Sequence, residues 1–472
     1  MSLSTITTDG RTLVLETEVL VGLANSLRGK VLTPESAGYD EARSVWNAMI
    51  DRHPAMIVRC TTADDVVAAV RFGRDHGQIV AIRGGGHNIA GNAVCDGGMV
   101  IDLSQMRAVS VDPVARTATV EAGATLGDMD TATQRHGLAT PLGINSTTGV
   151  AGLTLGGGFG WLSRKYGLTI DNLLSAEIVT AAGQRLHVSA SENSDLFWGI
   201  RGGGGNFGVV TSFEFRLHPV GPEVLAGLIV HPLDDAPAVL RFYRDFLDTT
   251  PEEFVCWFVM RQAPPLPFLA PEWHGREILA LAVCWCGDIA DGERVAQPLR
   301  EFGNPIADVI APSPYAGWQT VLDPLLTPGA RNYWKSHNFN QVSDGLIEVF
   351  VDHARRIPDA QSEIAFAHIG GAVSRVAPEA TAYTHRDAKF VMNVHGRWAD
   401  PARDEACTGW ARSLFNAAAP FATGGAYVNF MTGDESDRVQ ATYGSNYARL
   451  ARLKMQYDPN NLFRINQNIR PS

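Results

Sequence analysis

Three stretches of the chain combine residue types that could do chemistry. RGGGHN (83–88) puts a fixed cation, three unshielded backbone N–H groups and an imidazole within six residues. Glycines without a Cβ expose their donors and allow backbone angles other residues avoid, which suits a phosphate or pyrophosphate, although the same run also serves in plain tight turns. LGGGFG (155–160) and RGGGGNFG (201–208) repeat the theme. A Rossmann fingerprint would need a helix to start at the glycines, but GGMVIDLS (97–104) reads as a further strand, so that type of dinucleotide site is disfavoured. The six cysteines (60, 95, 256, 284, 286 and 407) include no CxxC pair, so they read as buried thiols and no metal site is expected.

The elements that must hold these stretches are legible in part. Residues 61–77 predict a helix, opened by threonines suited to capping and closed by Gly77. QIVAIR (78–83) reads as a buried strand running into the first glycines, residues 118–121 as another strand, and residues 125–136 as a helix. Beyond His218-Pro219 the texture changes, with helical patterns at 236–247 and 344–356 and a strand at 278–286. A last helix is expected over 437–456, ending before Tyr457-Asp458-Pro459. Of the 47 glycines, 30 fall in the first 220 residues and 17 in the remaining 252, so the enrichment is regional and not a low-complexity bias.

The 472 residues, 45% hydrophobic and 19% charged, can bury more than one core. A net charge of −11 without any basic cluster argues against nucleic acid or an anionic membrane as partner. No apolar run approaches the roughly 20 residues that span a bilayer, and the first residues lack a signal-peptide pattern, so a cytoplasmic location is expected.

RGGGHN, GVAGLTLGGGFGWLSRKYGLTIDNL (149–173), LFWGIRGGGGNFGVVT (196–211) and YDPNNLFRINQNI (457–469) resemble, in the same order, the berberine bridge enzyme-like flavoprotein oxidases of the vanillyl-alcohol oxidase and p-cresol methylhydroxylase superfamily. The resemblance implies an α+β fold: a two-subdomain PCMH-type FAD-binding domain over 1–218 (core about 50–218), a substrate domain of antiparallel sheet flanked by helices over 219–430, and a C-terminal return over 431–472.

It also implies roles. His87 would bond covalently to the 8α-methyl of FAD. Arg83, Gly84, Gly85, Gly86 and Asn88 would hold the pyrophosphate. Thr147, Gly149, Gly152, Gly156, Gly157 and Gly158 would border the isoalloxazine. Asn172, Gly208 and Val210 fall in segments resembling those around adenine and ribose. Many relatives carry a cysteine, making a second flavin bond, at the position of Asn145, so attachment through His87 alone is expected. Thr148 is either an oxygen-side residue or a loop-capping hydroxyl. Tyr427 matches the proton-accepting tyrosine of related oxidases, with Asn429 two residues on along an expected strand; Lys335 or His368 would stabilise its phenolate, and a plain core tyrosine is the alternative. Asn466 and Asn468 would bond the flavin or shape the pocket floor. Tyr333, Trp334, Lys335 and His368 are candidate substrate contacts, or core packing.

The activity implied is hydride removal from a C–OH or C–N group of a small molecule, carbohydrate, alcohol, alkaloid or polyketide in type, followed by reduction of O2 to H2O2 in a monomer or homodimer. Alternatives are a dehydrogenase or tailoring enzyme using another electron acceptor, and a scaffold that retains FAD without turnover.

Overall fold

The computed structural model describes residues 2–472. Its first core is built around two sheets. A four-stranded sheet orders β1 (Lys30–Leu32), β2 (Met56–Arg59), β4 (Met99–Asp102) and β3 (Val80–Arg83), with β2, β4 and β3 parallel. Helix α1 (Ala63–Asp75) connects β2 to β3. It starts where the sequence requires: Thr62 Oγ1 accepts from Asp65 N–H while the Asp65 carboxylate reaches back to the Thr62 N–H, a reciprocal cap. β3 ends at Arg83, so its run into residues 84–86 delivers the glycine turn to the C-terminal edge of the parallel strands.

Beside it lies a five-stranded antiparallel sheet of β5 (Val109–Asp112), β6 (Thr117–Glu121), β7 (Leu173–Val179), β8 (Arg185–Ser189) and β9 (Val209–Arg216), in the order β8-β7-β9-β6-β5. Helix α2 (Leu126–Gln134) is capped by Thr125. The core joins side chains from Leu15 to Leu217 with a closing stretch from Ala426 to Ile469.

A second core packs helices α3 (Ala236–Leu247), α4 (Asp344–Ala354) and α5 (Asp404–Ala418) on one face of an eight-stranded antiparallel sheet. Its main strands are β10 (Glu223–Pro232), β11 (Phe254–Gln262), β12 (Glu277–Trp285), β13 (Arg331–Phe339), β14 (Glu363–His368) and β15 (Phe390–Trp398), ordered β10-β12-β11-β14-β15-β13. The opposite face of this sheet looks toward the first core, and an aromatic cluster including Phe159, Trp161, Trp257, Trp318 and Tyr427 fills the seam.

The expected last helix is broken. α6 (Val439–Tyr443) and α7 (Tyr447–Tyr457) are separated by Gly444, whose φ of 51° lies in the left-handed region that ends a helix. The return is held by a fully buried ion pair. Lys454 Nζ donates to Asp458 (2.7 Å), to the Asn206 carbonyl (2.7 Å) and to the Phe463 carbonyl (2.8 Å). The Asp458 carboxylate in turn accepts the Leu462 and Phe463 N–H groups, so no charge is left unpaired. Among the described residues, no helix is long and apolar enough to cross a membrane, and all six cysteines are buried and free.

Candidate active site

A cavity of roughly 400 Å³ lies between the two cores. The glycine turns form one wall: Gly84, Gly85, Gly86, Gly149, Gly152 and Gly208 line it, beside Asn88, Val210 and Asn466. The turns at 84–86 and 147–149 touch backbone to backbone. A Cβ on Gly85 would stand 2.5 Å from the Gly149 nitrogen, a separation no side-chain carbon tolerates. Asn466 has a buried Oδ1 without a partner; so has Asn468, which lies outside the cavity lining. The Arg83 guanidinium curls beneath its turn and bonds the Ala42 carbonyl, outside the cavity lining.

His87 lines the cavity with one ring face stacked on Trp46, 4.5 Å between centroids. Its Nε2 lies 3.1 Å from Thr147 Oγ1. Burial pushes its pKa down to about 3, with Arg397 and His395 adding to the effect, so the imidazole is neutral. Thr147 hangs on Asn145, whose Oδ1 accepts both the Thr147 hydroxyl (2.6 Å) and its N–H (3.0 Å). Thr148 also lines the cavity, and its backbone spans Asn145 and Leu126.

Tyr427 is 2% exposed and reaches the cavity from the other side of the glycine wall. Its phenolic oxygen accepts the Gly158 N–H at 3.0 Å and the Asn429 amide at 3.0 Å. The segment is not the expected strand: Tyr427 precedes a 3-10 turn, Val428–Phe430, and the turn folds Asn429 back onto the phenol. Gly156 makes room for this pair, since a Cβ there would meet Asn429 Oδ1 at 2.3 Å. Gly156 thus admits Asn429, Gly157 packs under Tyr383, and Gly158 packs against Thr169 while its N–H reaches Tyr427; none of the three lines the cavity, where the expectation had them border the cofactor. Burial raises the Tyr427 pKa to about 12, while the two N–H donors pull the other way.

The second wall is the open face of the eight-stranded sheet. Its register arranges side chains in cross-strand rows. One row runs Ile278, Arg261, Glu363, His395, Trp334. The next runs Val230, Ala280, Val259, Ala365, Asn393. A third holds Leu228, Ala282, Trp257 and, on β14 and β15, Ala367 and Val391. The first row is polar: Arg261 pairs with Glu363 (2.6 Å), which bonds His395 (3.2 Å). Burial alone would raise the Glu363 pKa, but Arg261 and His395 outweigh it and bring it to about 2. The other rows are apolar apart from Asn393 at the end of one, and four alanines form a shelf across them.

Strand parity corrects three expected substrate contacts. Trp334 faces the cavity, but Tyr333 and Lys335, one residue to either side, point to the opposite face. There Tyr333 donates to Asp434 (2.6 Å), and Lys335 pairs with Asp434 (3.0 Å) and Glu435 (3.3 Å). His368 likewise stacks on Phe390, away from the cavity. Neither Lys335 nor His368 bonds the Tyr427 phenol. Asn172 is also spent elsewhere: its amide donates to the Tyr166 and Leu168 carbonyls and accepts from His218 (2.6 Å). The residues that do line this wall, Arg261, Glu363, Asn393 and His395, were not singled out from sequence. The available signal was polar residues at alternate positions in otherwise apolar strands, as in FVMNVHGRW.

The two walls fit FAD: a glycine-paved side where backbone can approach closely, a neutral imidazole at one edge, and a partnerless buried amide oxygen at Asn466. The comparisons with known proteins agree. The FAD binding domain family matches residues 54–189 and the "Berberine and berberine like" family residues 426–470. The (R)-6-hydroxynicotine oxidase of Paenarthrobacter nicotinovorans is 30% identical, covering 94% of this chain and 97% of that protein. A chitooligosaccharide oxidase of Gibberella zeae is 28% identical over 92% and 91%. The crystal structure of 6-hydroxy-D-nicotine oxidase from Arthrobacter nicotinovorans superposes with a TM-score of 0.86 at 28% identity, covering 95% of this chain and 99% of that one. The chain thus belongs to the berberine bridge enzyme-like FAD-linked oxidoreductases.

Proposed function

We propose that this chain is an oxidase that removes a hydride from a C–OH or C–N group of a ring-bearing, largely apolar small molecule and reduces O2 to H2O2. FAD, held through His87 alone, accepts the hydride and hands the electrons to dioxygen when bound. The chain's own residues do the rest. Tyr427 takes the proton from the substrate hydroxyl or amine. The Gly158 N–H and the Asn429 amide stabilise the charge its oxygen carries in that role. The observation that carries this reading is the two donors converging on one buried phenol in a cavity lined by glycine backbone.

The shelf favours flat rings over sugars. A saccharide presents hydroxyls along its length, and each needs a partner when it loses water. Ala280, Ala282, Ala365 and Ala367 offer none, and the polar groups gather along one edge, at Arg261, Glu363, Asn393 and His395.

The test is a peroxide-coupled assay with 2-naphthylmethanol, 2-naphthylmethylamine and cellobiose, run beside anaerobic flavin reduction. Peroxide from the naphthyl alcohol or amine supports the reading. Reduction without peroxide would point to another electron acceptor, and turnover of cellobiose alone would remove the apolar substrate class.

A further inference from the structure

We infer that Asn145 and Thr147 select the tautomer of His87 that attacks the flavin, leaving Nδ1 as the bonding atom. The inference rests on the proposed covalent link at His87. It starts from the Asn145 amide, whose orientation is fixed at both ends. Oδ1 accepts the Thr147 N–H (3.0 Å) and Nδ2 donates to the Leu326 carbonyl (3.3 Å). The Thr147 hydroxyl therefore spends its one proton on Oδ1, at 2.6 Å, and can only accept from a third group. That group is His87 Nε2, at 3.1 Å, which must carry the ring's hydrogen. A neutral imidazole has one N–H, so Nδ1 holds a free lone pair. No hydrogen bond engages Nδ1, and it is not buried away from the cavity.

The ring is held in place as well as polarised. Trp46 stacks on it, and the Trp46 indole N–H donates to the same Leu326 carbonyl at 3.0 Å. One carbonyl thus anchors both the stacking partner and the polar relay. The neighbouring Asp323 carboxylate accepts the Ser146 N–H (2.9 Å) and hydroxyl (2.5 Å), fixing the loop between Asn145 and Thr147.

Nδ1 bonds to the flavin 8α carbon, which loses one proton, and the Nε2 proton leaves to water beside the exposed Thr147. Two electrons remain on the flavin and pass, with two protons, to dioxygen as H2O2. Asn145 and Thr147 are positioning residues in this scheme.

The experiment follows formation of acid-stable flavin by intact mass after FAD is added to apo-protein, together with total bound flavin. Per FAD bound, T147V should form the covalent bond about tenfold more slowly than the parent, the effect of losing one selecting hydrogen bond. T147S should form the bond at the parent rate, whereas N145L should be slow. Parent-like rates in T147V would overturn the relay. Nitrogen-15 spectra of the histidine-labelled parent apo-protein supply a readout independent of any variant's folding: His87 should carry hydrogen on Nε2, and protonation on Nδ1 would overturn the inference. If the parent loses all its flavin in acid, or H87A keeps acid-stable flavin, the link at His87 fails and the relay with it.

Discussion

The Asn429 amide nitrogen stands 3.0 Å from the Tyr427 phenolic oxygen, and the Leu153 carbonyl accepts from the same amide at 3.2 Å, which fixes its orientation. The phenol therefore receives two N–H donors and has no acceptor for its own proton among the described residues. Tyr427→Phe should keep flavin content and spectrum while slowing anaerobic flavin reduction by about 10²–10⁴. Reduction at the parent rate would remove Tyr427 from its role.

The same site has a definite pH response. The proton-accepting form is the phenolate, scarce at neutral pH because burial lifts the pKa to about 12. Flavin reduction should therefore quicken as pH rises through the alkaline range, by at most about tenfold per unit. Stopped-flow traces from pH 7 to 10 check this, and the rise should vanish in Tyr427→Phe.

Ala365→Phe would fill the middle of the shelf, where Ala365 faces Val259 on one side and Asn393 on the other. The variant should bind FAD normally and lose response to 2-naphthylmethanol, with KM raised at least tenfold, equivalent to about 1.4 kcal/mol. Unaltered KM would place the substrate elsewhere.

Glu363 links stability to acid. Its folded pKa lies near 2 against an ordinary 4.5, so its contribution is full above about pH 4.5 and is lost as pH falls toward 2. The shift corresponds to about 3 kcal/mol. Thermal melts at pH 7 and pH 3.5 should show the parent losing more stability than Glu363→Gln over that interval. Equal losses would mean the Arg261 pairing contributes nothing net.

The closing segment depends on Lys454. Lys454→Met leaves the Asp458 carboxylate buried without its cation, at a cost of about 3–5 kcal/mol. Chemical denaturation measures it. The double variant with Asp458→Leu should recover part of the loss.

The sequence made the cofactor wall legible because that wall is backbone. Glycine runs report where chain must approach chain, as at Gly85 and Gly149, and His87 follows directly on one. The sheet wall was harder to read. A resemblance locates a strand without stating which face a residue occupies, and one step of parity separates Trp334 in the cavity from Tyr333 and Lys335 behind it. Glycines 156–158 lie beside the cavity and not along it: their missing side chains make room for Asn429, Tyr383 and Thr169, neighbours that no local pattern states. The Leu326 carbonyl left no trace at all, since its partners Trp46 and Asn145 lie 280 and 181 residues away.

That carbonyl orders events in time. Leu326 belongs to the connection leading into β13 of the second core, so its carbonyl meets Trp46 and Asn145 only when the two cores pack together. If His87 bonds the flavin as proposed and is aligned by groups that hang from this carbonyl, attachment would follow assembly, and the bond would be a molecular record that the chain has completed its fold.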